Sequence, residues 1–150
     1  MADMTLEQIS EKMRDIDIAV LTTRTAGGAL AGRPMSNNRN VEYDGDSFFF
    51  TLEDTGTVKD VRSDPSVSLS YAAKSGMLNM KPFYITLSGT AELIQDKAAF
   101  EEHWTKDLEL WFKQGVDTPG LILVKVSAER VHYWDGFEEG EVEIRQRETA

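Results

Sequence analysis

Residues 33–59 contain the groups best suited to bind an anion. Arg33 lies in a predicted strand, and Thr57 and Lys59 open a predicted short helix that follows a strand-like run at residues 47–51. A helix N-terminus attracts anions through N–H groups without helical partners and through the macrodipole. A lysine this early in a helix opposes the dipole unless an anion lies between the two. The pattern predicts a phosphate site at Arg33, Thr57 and Lys59; a solvated lysine and a surface arginine are the alternatives.

The strand-like run beside this site could support a flat ring. Residues 47–51 read Ser-Phe-Phe-Phe-Thr, so Phe48 and Phe50 face one side of a strand and Phe49 the other. Two of these phenylalanines are expected to pack in the barrel core. The backbone N–H and C=O groups near Phe50 and Thr51 could at the same time pair with the edge of a heteroaromatic ring. A phosphate next to a flat ring is the outline of flavin mononucleotide (FMN).

Composition restricts the classes of function. The chain has 150 residues, enough for one domain with a sizeable core, and a formal net charge of −10. That charge argues against a general nucleic-acid or anionic-membrane surface, so a phosphate site must be a local positive pocket. The chain has no cysteine, which excludes disulfides, thiolate metal sites and thiol nucleophiles. No signal-like or membrane-spanning apolar run is evident, so a cytosolic location is expected.

Hydrophobic periodicity predicts a mainly β chain with peripheral helices. A capping box at Thr5 and Gln8 starts a first helix that ends near Asp15. Strands are predicted at residues 16–23, around 33–35, and at 48–52, 67–71, 83–94 and 121–132. Further helices are predicted at 57–63 and from Asp96 through Trp104, with residues 108–112 continuing that helical register. Six short strands with three helices predict an antiparallel six-stranded barrel of the α+β class.

Smaller signals refine this outline. Turn, edge and bulge residues are Gly27-Gly28 (turn), Pro34 (strand edge), Asp44-Gly45 (hairpin turn between two strands) and Gly89 (bulge). Charged residues dominate after Asp135, so residues 1–137 are predicted to form the domain and 138–150 an acidic tail. His103 and His132 are far apart in the sequence with no nearby ligand cluster, so no metal site is predicted. Trp111 and Phe112 either close over a ring or pack a helix onto the sheet, and packing is the default expectation.

At this point the chain resembles a known family. From about Leu6 to Asp135 it is similar to the general stress protein branch of the pyridoxamine 5′-phosphate oxidase-like flavin-binding split barrels. The segments that carry the resemblance are Arg33-Pro34-Met35, Phe49-Phe50-Thr51, Thr57-Val58-Lys59, Asp64-Pro65 before Val67, Ser88-Gly89, Trp111 through Gly115, Asp117-Thr118-Pro119 and Tyr133-Trp134-Asp135.

The resemblance implies a homodimer of split β-barrels with two FMN molecules at the subunit interface. By this similarity Arg33, Thr57 and Lys59 hold the phosphate. The ribityl chain and the isoalloxazine are lined by Met35, Ser36, Phe49, Phe50 and Thr51. Tyr84 and Trp111 come from the second subunit.

Two departures from the family pattern limit what the resemblance implies. The usual Trp-Phe-Pro-x-Gly element reads Trp-Phe-Lys-Gln-Gly at residues 111–115, which predicts a less rigid loop. True pyridoxamine phosphate oxidases end in an Arg-Leu-His-Asp-Arg type of segment, whereas residues 140–145 read Gly-Glu-Val-Glu-Ile-Arg. A pyridoxine phosphate would meet acids where it needs bases, so the oxidase activity is not inferred.

The leading hypothesis is an FMN-binding flavoprotein of oxidoreductase type. No general acid or base is identified, so a flavin carrier or stress-response binder without turnover is an alternative, and FAD is not separated from FMN. A flavin-free dimeric interaction module is a second class. A nucleic-acid-binding barrel is opposed by the net charge of −10.

Overall fold

The computed structural model describes residues 4–37, 43–73 and 82–144. Its helices are α1 (Leu6–Met13), α2 (Gly56–Ser63) and α3 (Lys97–His103), followed by two short 3-10 helices at Lys106–Leu110 and Gly115–Asp117. Its strands are β1 (Ile18–Arg24), β2 (Leu30–Ser36), β3 (Asp46–Leu52), β4 (Ser66–Ala73), β5 (Phe83–Ile94), β6 (Leu121–Asp135) and β7 (Glu138–Glu143). None of the helices in the described ranges is long and apolar enough to cross a membrane.

The strands form one antiparallel sheet in the order β2-β1-β4-β5-β6-β3, with β7 on the free side of the C-terminal half of β6. All six predicted strands are present, and the mainly antiparallel class with three helices is confirmed. Within the described residues β2 and β3 are the two end strands of this order. Pro34 therefore lies on an edge strand, as its missing N–H predicts.

Inward-facing residues form two hydrophobic clusters. The main cluster fills the barrel, and Phe49 lies in it. A second cluster under α3 contains Phe100, Leu121 and Leu123, with Phe48 and Phe50 partly buried against it. The prediction that two phenylalanines pack in the barrel core is therefore wrong, because only Phe49 lies there. Phe48 and Phe50 share the opposite face of β3, which is covered by α3.

Helix starts follow their caps, whereas one helix end differs from the prediction. The Thr5–Gln8 capping box is formed in both directions, and Asp96 caps α3 by accepting from Ala99 N–H at 3.3 Å. The predicted helical register through residues 108–112 is wrong, because α3 ends at His103 and Trp104 is extended. The Trp104 ring packs against Phe50 with centroids 5.0 Å apart, a contact that accompanies the turn of the chain away from the α3 axis.

The acidic segment after Asp135 is partly a strand. The prediction of a tail from residue 138 is wrong for Glu138–Glu143, which pair with β6 as β7. Val142 is buried in the main cluster, and the Arg130 guanidinium lies 2.6 Å from Glu141, so one apolar anchor and one ion pair fix this edge. Residues 145–150 of the predicted tail lie outside the described residues. So do residues 38–42, the first predicted side of the Asp44-Gly45 hairpin, although Gly45 has the positive φ of +112° that such a turn requires.

Candidate functional site

Arg33 reaches from the edge strand β2 to helix α2. Its Nη1 donates to the Thr23 hydroxyl at 2.8 Å, and its Nη2 donates to Asp60 Oδ2 at 3.3 Å. The Thr23 hydroxyl in turn donates to the same Asp60 oxygen at 2.7 Å. Thr23 is on the inward face of β1 and is buried, and the side chains of Arg33 and Asp60 are 23% and 9% exposed. The guanidinium is therefore held at α2 by a buried acid and a buried hydroxyl.

The first turn of α2 lacks a side-chain cap. Thr55 is the N-cap residue, but its hydroxyl donates to Leu52 C=O at 2.8 Å and lies 3.1 Å from the Thr51 hydroxyl. The first helical bond runs from Lys59 N–H to Thr55 C=O at 3.2 Å. The N–H groups of residues 56–58 therefore precede this bond, and none of them donates to the Thr55 hydroxyl. Groups of this kind favour an anion at the helix start.

The structure places the three predicted phosphate residues at one helix, but in different surroundings. Arg33 is tied to α2 through Asp60, and Lys59 is the residue before Asp60 and is exposed. Thr57 is buried, so its side chain has little surface for a ligand, whereas its backbone N–H lies in the first turn. Whether these groups bind one phosphate stays a prediction.

Sequence patterns did not reveal Asp60 and Thr23. The available signal was the helical face of α2, on which residues 57, 58 and 61 are buried. Residue 60 lies three positions after residue 57 and so falls at the border of this face. A buried aspartate requires a partner, and in the structure that partner is Arg33 of β2. The pattern therefore indicated that Asp60 needs a partner, whereas the identity of that partner, Arg33, comes from the structure.

The predicted ring-binding segments lie on the two end strands of the sheet. Met35 is partly buried against the main cluster, and Ser36 is exposed at the end of β2. Phe49 and Phe50 use their side chains for packing, and Thr51 is partly buried. β3 pairs with β6 along one side, so its other backbone edge has no sheet partner among the described residues. This edge suits a ligand that needs backbone donors and acceptors, as the sequence predicted for residues 50 and 51.

Tyr84 and Trp111 are exposed in the single chain. Tyr84 is 46% exposed on the outer face of β5, and Trp111 is 76% exposed next to Leu110 at the end of a 3-10 helix. The default expectation that Trp111 packs a helix onto the sheet is wrong. Phe112 packs instead, with its ring 6.1 Å from that of Trp104.

A separate cavity of about 210 Å³ lies at the opposite end of β3 from α2. It is lined by α1, the Asp44-Gly45 turn region, the start of β3 and His103, and it shares Phe49 with the predicted site. Tyr43 borders this cavity, but its hydroxyl is fully enclosed and has no hydrogen-bond partner among the described residues. Burial raises the pKa of Tyr71 to about 12 and also raises the pKa of Tyr43, so both remain neutral.

The part of the chain that the structure describes contains no group of three His, Cys, Asp or Glu side chains arranged for a metal ion. His103 stacks on Phe48 with ring centroids 3.6 Å apart, and His132 stacks on Trp134 at 4.3 Å. His132 also lies 3.5 Å from a carboxylate oxygen of Glu139. Both histidines are therefore engaged by aromatic neighbours.

Comparison with known proteins shows where this fold occurs. A family model described as "Pyridoxamine 5'-phosphate oxidase like" matches residues 4–145. Protein bli-3 of Neurospora crassa is 23% identical over 140 residues, which cover 87% of this chain. The alignment covers only 65% of the length of bli-3.

Two solved structures illustrate the likeness in fold. A Clostridium acetobutylicum protein related to general stress protein 26 superposes with a TM-score of 0.76 at 19% identity, covering 93% of this chain and 94% of that one. A haem-binding protein of Mycobacterium smegmatis superposes with a TM-score of 0.75 at 16% identity, covering 95% of this chain and 59% of that one. At 19% and 16% identity, the likeness to these two structures shows a shared fold and nothing further.

Proposed function

The chain belongs to the pyridoxamine 5′-phosphate oxidase-like family, and from this premise we propose that it binds FMN with the phosphate at Arg33 and the start of α2. The observation that carries the proposal is the Arg33 guanidinium, held at α2 by Asp60 in a chain whose net charge is −10. A partly buried arginine held at α2 provides the charge, and the first turn of α2, which has no side-chain cap, provides the N–H donors that a phosphate needs. The residues present therefore fit the phosphate of this cofactor.

The ring of the flavin is proposed to lie along the strand edges next to this phosphate site. β3 ends at Leu52, and α2 begins after a tight turn at Gly56, so the free edge of β3 leads toward the helix start. Backbone groups near Phe50 and Thr51 offer hydrogen bonds, and Met35 and Ser36 on β2 offer one apolar and one polar contact. A concave apolar slot with a few convergent polar groups is the usual form of a cofactor site.

In this proposal the protein residues bind and orient the cofactor. Arg33 and the first turn of α2 hold the phosphate, Lys59 adds positive charge from the exposed side, and the edge of β3 holds the ring. When bound, FMN supplies the capacity to exchange a hydride or single electrons. A flavin-dependent oxidoreductase and a flavin carrier both fit these roles.

Titration with FMN, FAD and riboflavin tests binding, and reduction tests turnover. The purified protein is expected to quench FMN fluorescence on binding and to bind riboflavin far more weakly. Anaerobic addition of NADH or NADPH then separates the two roles. Bleaching of the bound flavin supports an oxidoreductase, and a stable yellow complex supports a carrier. A protein that binds no flavin at all would contradict the proposal.

A pyridoxine phosphate substrate is not part of the proposal. β7 places Glu139 and Glu141 beside His132 and Arg130 on β6, and Glu141 occupies the Arg130 guanidinium at 2.6 Å. Two carboxylates at this edge disfavour a phosphorylated substrate there. The pairing of β7 with β6 thus supports the distinction that the sequence drew from the oxidases.

We propose that two chains associate through the outer face of β2, β1, β4 and β5. Ile18 and Val20 are exposed there, with Tyr84 two strands away. The registered neighbours of these residues on the same face are all uncharged, namely Gly32, Pro34, Ser36, Thr22, Ser68, Ser70, Ala72, Thr86 and Ser88. Arg24 lies at one end of this face on β1, so the uncharged residues form a patch and not the whole face. Charged residues make up 28% of the chain, so a patch of this size without them is unusual for a solvated surface. Depletion of charge is typical of the core of a protein interface.

Val20→Glu is expected to convert the proposed homodimer to a monomer, because it introduces a charge within this patch of uncharged residues. Val20 is 42% exposed, so the glutamate can remain solvated in the single chain and the fold should persist. Sedimentation velocity measures the change, with an expected loss of dimer affinity of about a hundredfold or more. Val20→Thr, which keeps the shape without the charge, serves as the control. A dimer that survives Val20→Glu would exclude this face.

Lys59→Glu is expected to weaken FMN binding by about tenfold and riboflavin binding by less than about twofold, because only FMN carries the phosphate. Arg62→Glu is the matched control, since Arg62 is an exposed cation in the last turn of the same helix. Isothermal titration of both flavins with both variants gives the comparison. Equal losses for FMN and riboflavin would count against the phosphate assignment of Lys59.

A further inference from the structure

We propose that Asp60 is a positioning residue that acts through Arg33, an inference that rests on the proposed function. In this inference Asp60, anchored by the Thr23 hydroxyl, holds the guanidinium in the orientation that receives the ligand phosphate. Asp60 itself does not touch the ligand. The carboxylate is therefore required for tight binding of an anion, although it carries the same sign of charge as that anion.

The hydrogen bonds show how the orientation is fixed. Asp60 Oδ2 accepts from the Thr23 hydroxyl at 2.7 Å and from Arg33 Nη2 at 3.3 Å, and Thr23 Oγ1 accepts from Arg33 Nη1 at 2.8 Å. The three groups form a closed triangle, so a rotation of the guanidinium breaks two of the three contacts. These bonds use two of the five N–H donors that a guanidinium possesses, and the other donors are left for a further acceptor.

Burial makes this triangle more than a surface ion pair. Thr23 and Asp60 are buried, whereas the Arg33 side chain keeps 23% of its surface. The acid and the hydroxyl are thus enclosed, and the exposed part of the triangle belongs to the cation. A buried anchor with a partly exposed arginine side chain is the arrangement expected when an arginine is held ready for a ligand, because the ordering cost is met before the ligand arrives.

The sign of one effect distinguishes positioning from simple charge. An acid near an anion site repels the anion, so removal of an acid without a positioning role should tighten FMN binding. Removal of a positioning acid should weaken it, because the guanidinium loses its fixed orientation. Asp60→Asn separates the two cases, since it keeps the side-chain volume and an acceptor for Thr23 while it removes the charge.

The experiment compares FMN and riboflavin affinities of the full chain and its variants by fluorescence titration. Asp60→Asn is expected to weaken FMN binding about tenfold and to leave riboflavin binding within about twofold. Thr23→Val should weaken FMN binding about threefold, and Thr23→Ser, which keeps the hydroxyl, should restore it. In an Arg33→Ala background, Asp60→Asn should cause no further loss, because Asp60 acts through Arg33.

Each outcome decides between the inference and its alternatives. Tighter FMN binding by Asp60→Asn, or equal losses for both flavins, overturns the positioning role and leaves the proposed function standing. The positioning role is also overturned if Asp60→Asn weakens FMN binding as much in the Arg33→Ala background as in the wild-type protein. If the wild-type protein does not prefer FMN to riboflavin, the proposed function fails first and this inference fails with it. Nitrogen-15 relaxation of the Arg33 side chain provides a ligand-free readout, and Asp60→Asn is expected to raise its mobility.

Discussion

Arg33→Ala is expected to weaken FMN binding about a hundredfold while riboflavin binding changes by less than about threefold. The Arg33 side chain is 23% exposed, and its guanidinium is held at α2 by Asp60 and Thr23. Loss of a partly buried, charge-assisted contact to a phosphate reduces affinity more than loss of a solvated one. Fluorescence titration of both flavins against the wild-type and variant proteins measures the ratio of the two effects.

The control for this variant is Arg24→Ala, which removes the same charge from a neighbouring strand. The Arg24 guanidinium lies 3.7 Å from Asp64 at the surface. Arg24→Ala is therefore expected to leave the affinities for FMN and riboflavin unchanged. Arg33→Ala also leaves Asp60 buried without its cation, which lowers stability. The double variant Arg33→Ala/Asp60→Asn removes that charge, and it should recover thermal stability without recovering FMN affinity. A double variant that regains FMN affinity would contradict the role of Arg33.

Gly89→Ala is expected to lower the free energy of unfolding by about 3 kcal/mol, because β6 passes too close to Gly89 for a side chain, at a bulge whose extra residue, Glu129, is on β6. The register of β5 against β6 shifts between Ser88 and Gly89, so the irregularity predicted at this glycine is present, although its extra residue is on β6 and not on β5. A Cβ at residue 89 would overlap the Ser127 carbonyl oxygen and lie 2.9 Å from its carbon and 3.0 Å from Ala128 Cα. All three atoms are backbone, so the strands themselves would have to move.

Thermal unfolding measures this effect, with an expected decrease in Tm of about 10 °C. Gly27→Ala is the matched control, because a Cβ at Gly27 meets only the Thr25 hydroxyl at 4.0 Å and the residue lacks a positive φ. It should change Tm by less than about 2 °C. A Gly89→Ala protein that unfolds at the wild-type temperature would show that the bulge relaxes easily.

The fold was predictable where local chemistry and burial agree. β1, β4 and β5 alternate buried and exposed residues, so the period of two in the sequence follows the actual faces of the sheet. Thr5 and Asp96 form their predicted caps because both capping bonds are local. Pro34 and Gly89 lie where a missing N–H and a missing Cβ are needed.

The remaining features depend on contacts that are distant in the sequence. α3 ends before Trp104, whose ring packs against Phe50, and the propensity of residues 96–112 contains no sign of that contact. The acidic sequence of β7 resembles a tail, because the groups that it contacts, Arg130 and the main cluster, belong to other elements. Exposure of Trp111 and burial of Asp60 are likewise tertiary properties. The cations of the candidate site were therefore predicted from the sequence, whereas Asp60, the acid paired with Arg33, was found only in the structure.

The central claim is that this chain has a phosphate site for FMN at Arg33 and the first turn of α2. The most direct test is the ratio of the riboflavin Kd to the FMN Kd for the wild-type protein, measured in one buffer without phosphate. The account predicts a ratio of about one hundred or more, because the two ligands differ only in the phosphate. Inorganic phosphate should compete with FMN and not with riboflavin. A ratio near one would contradict the claim, whatever the colour of the protein.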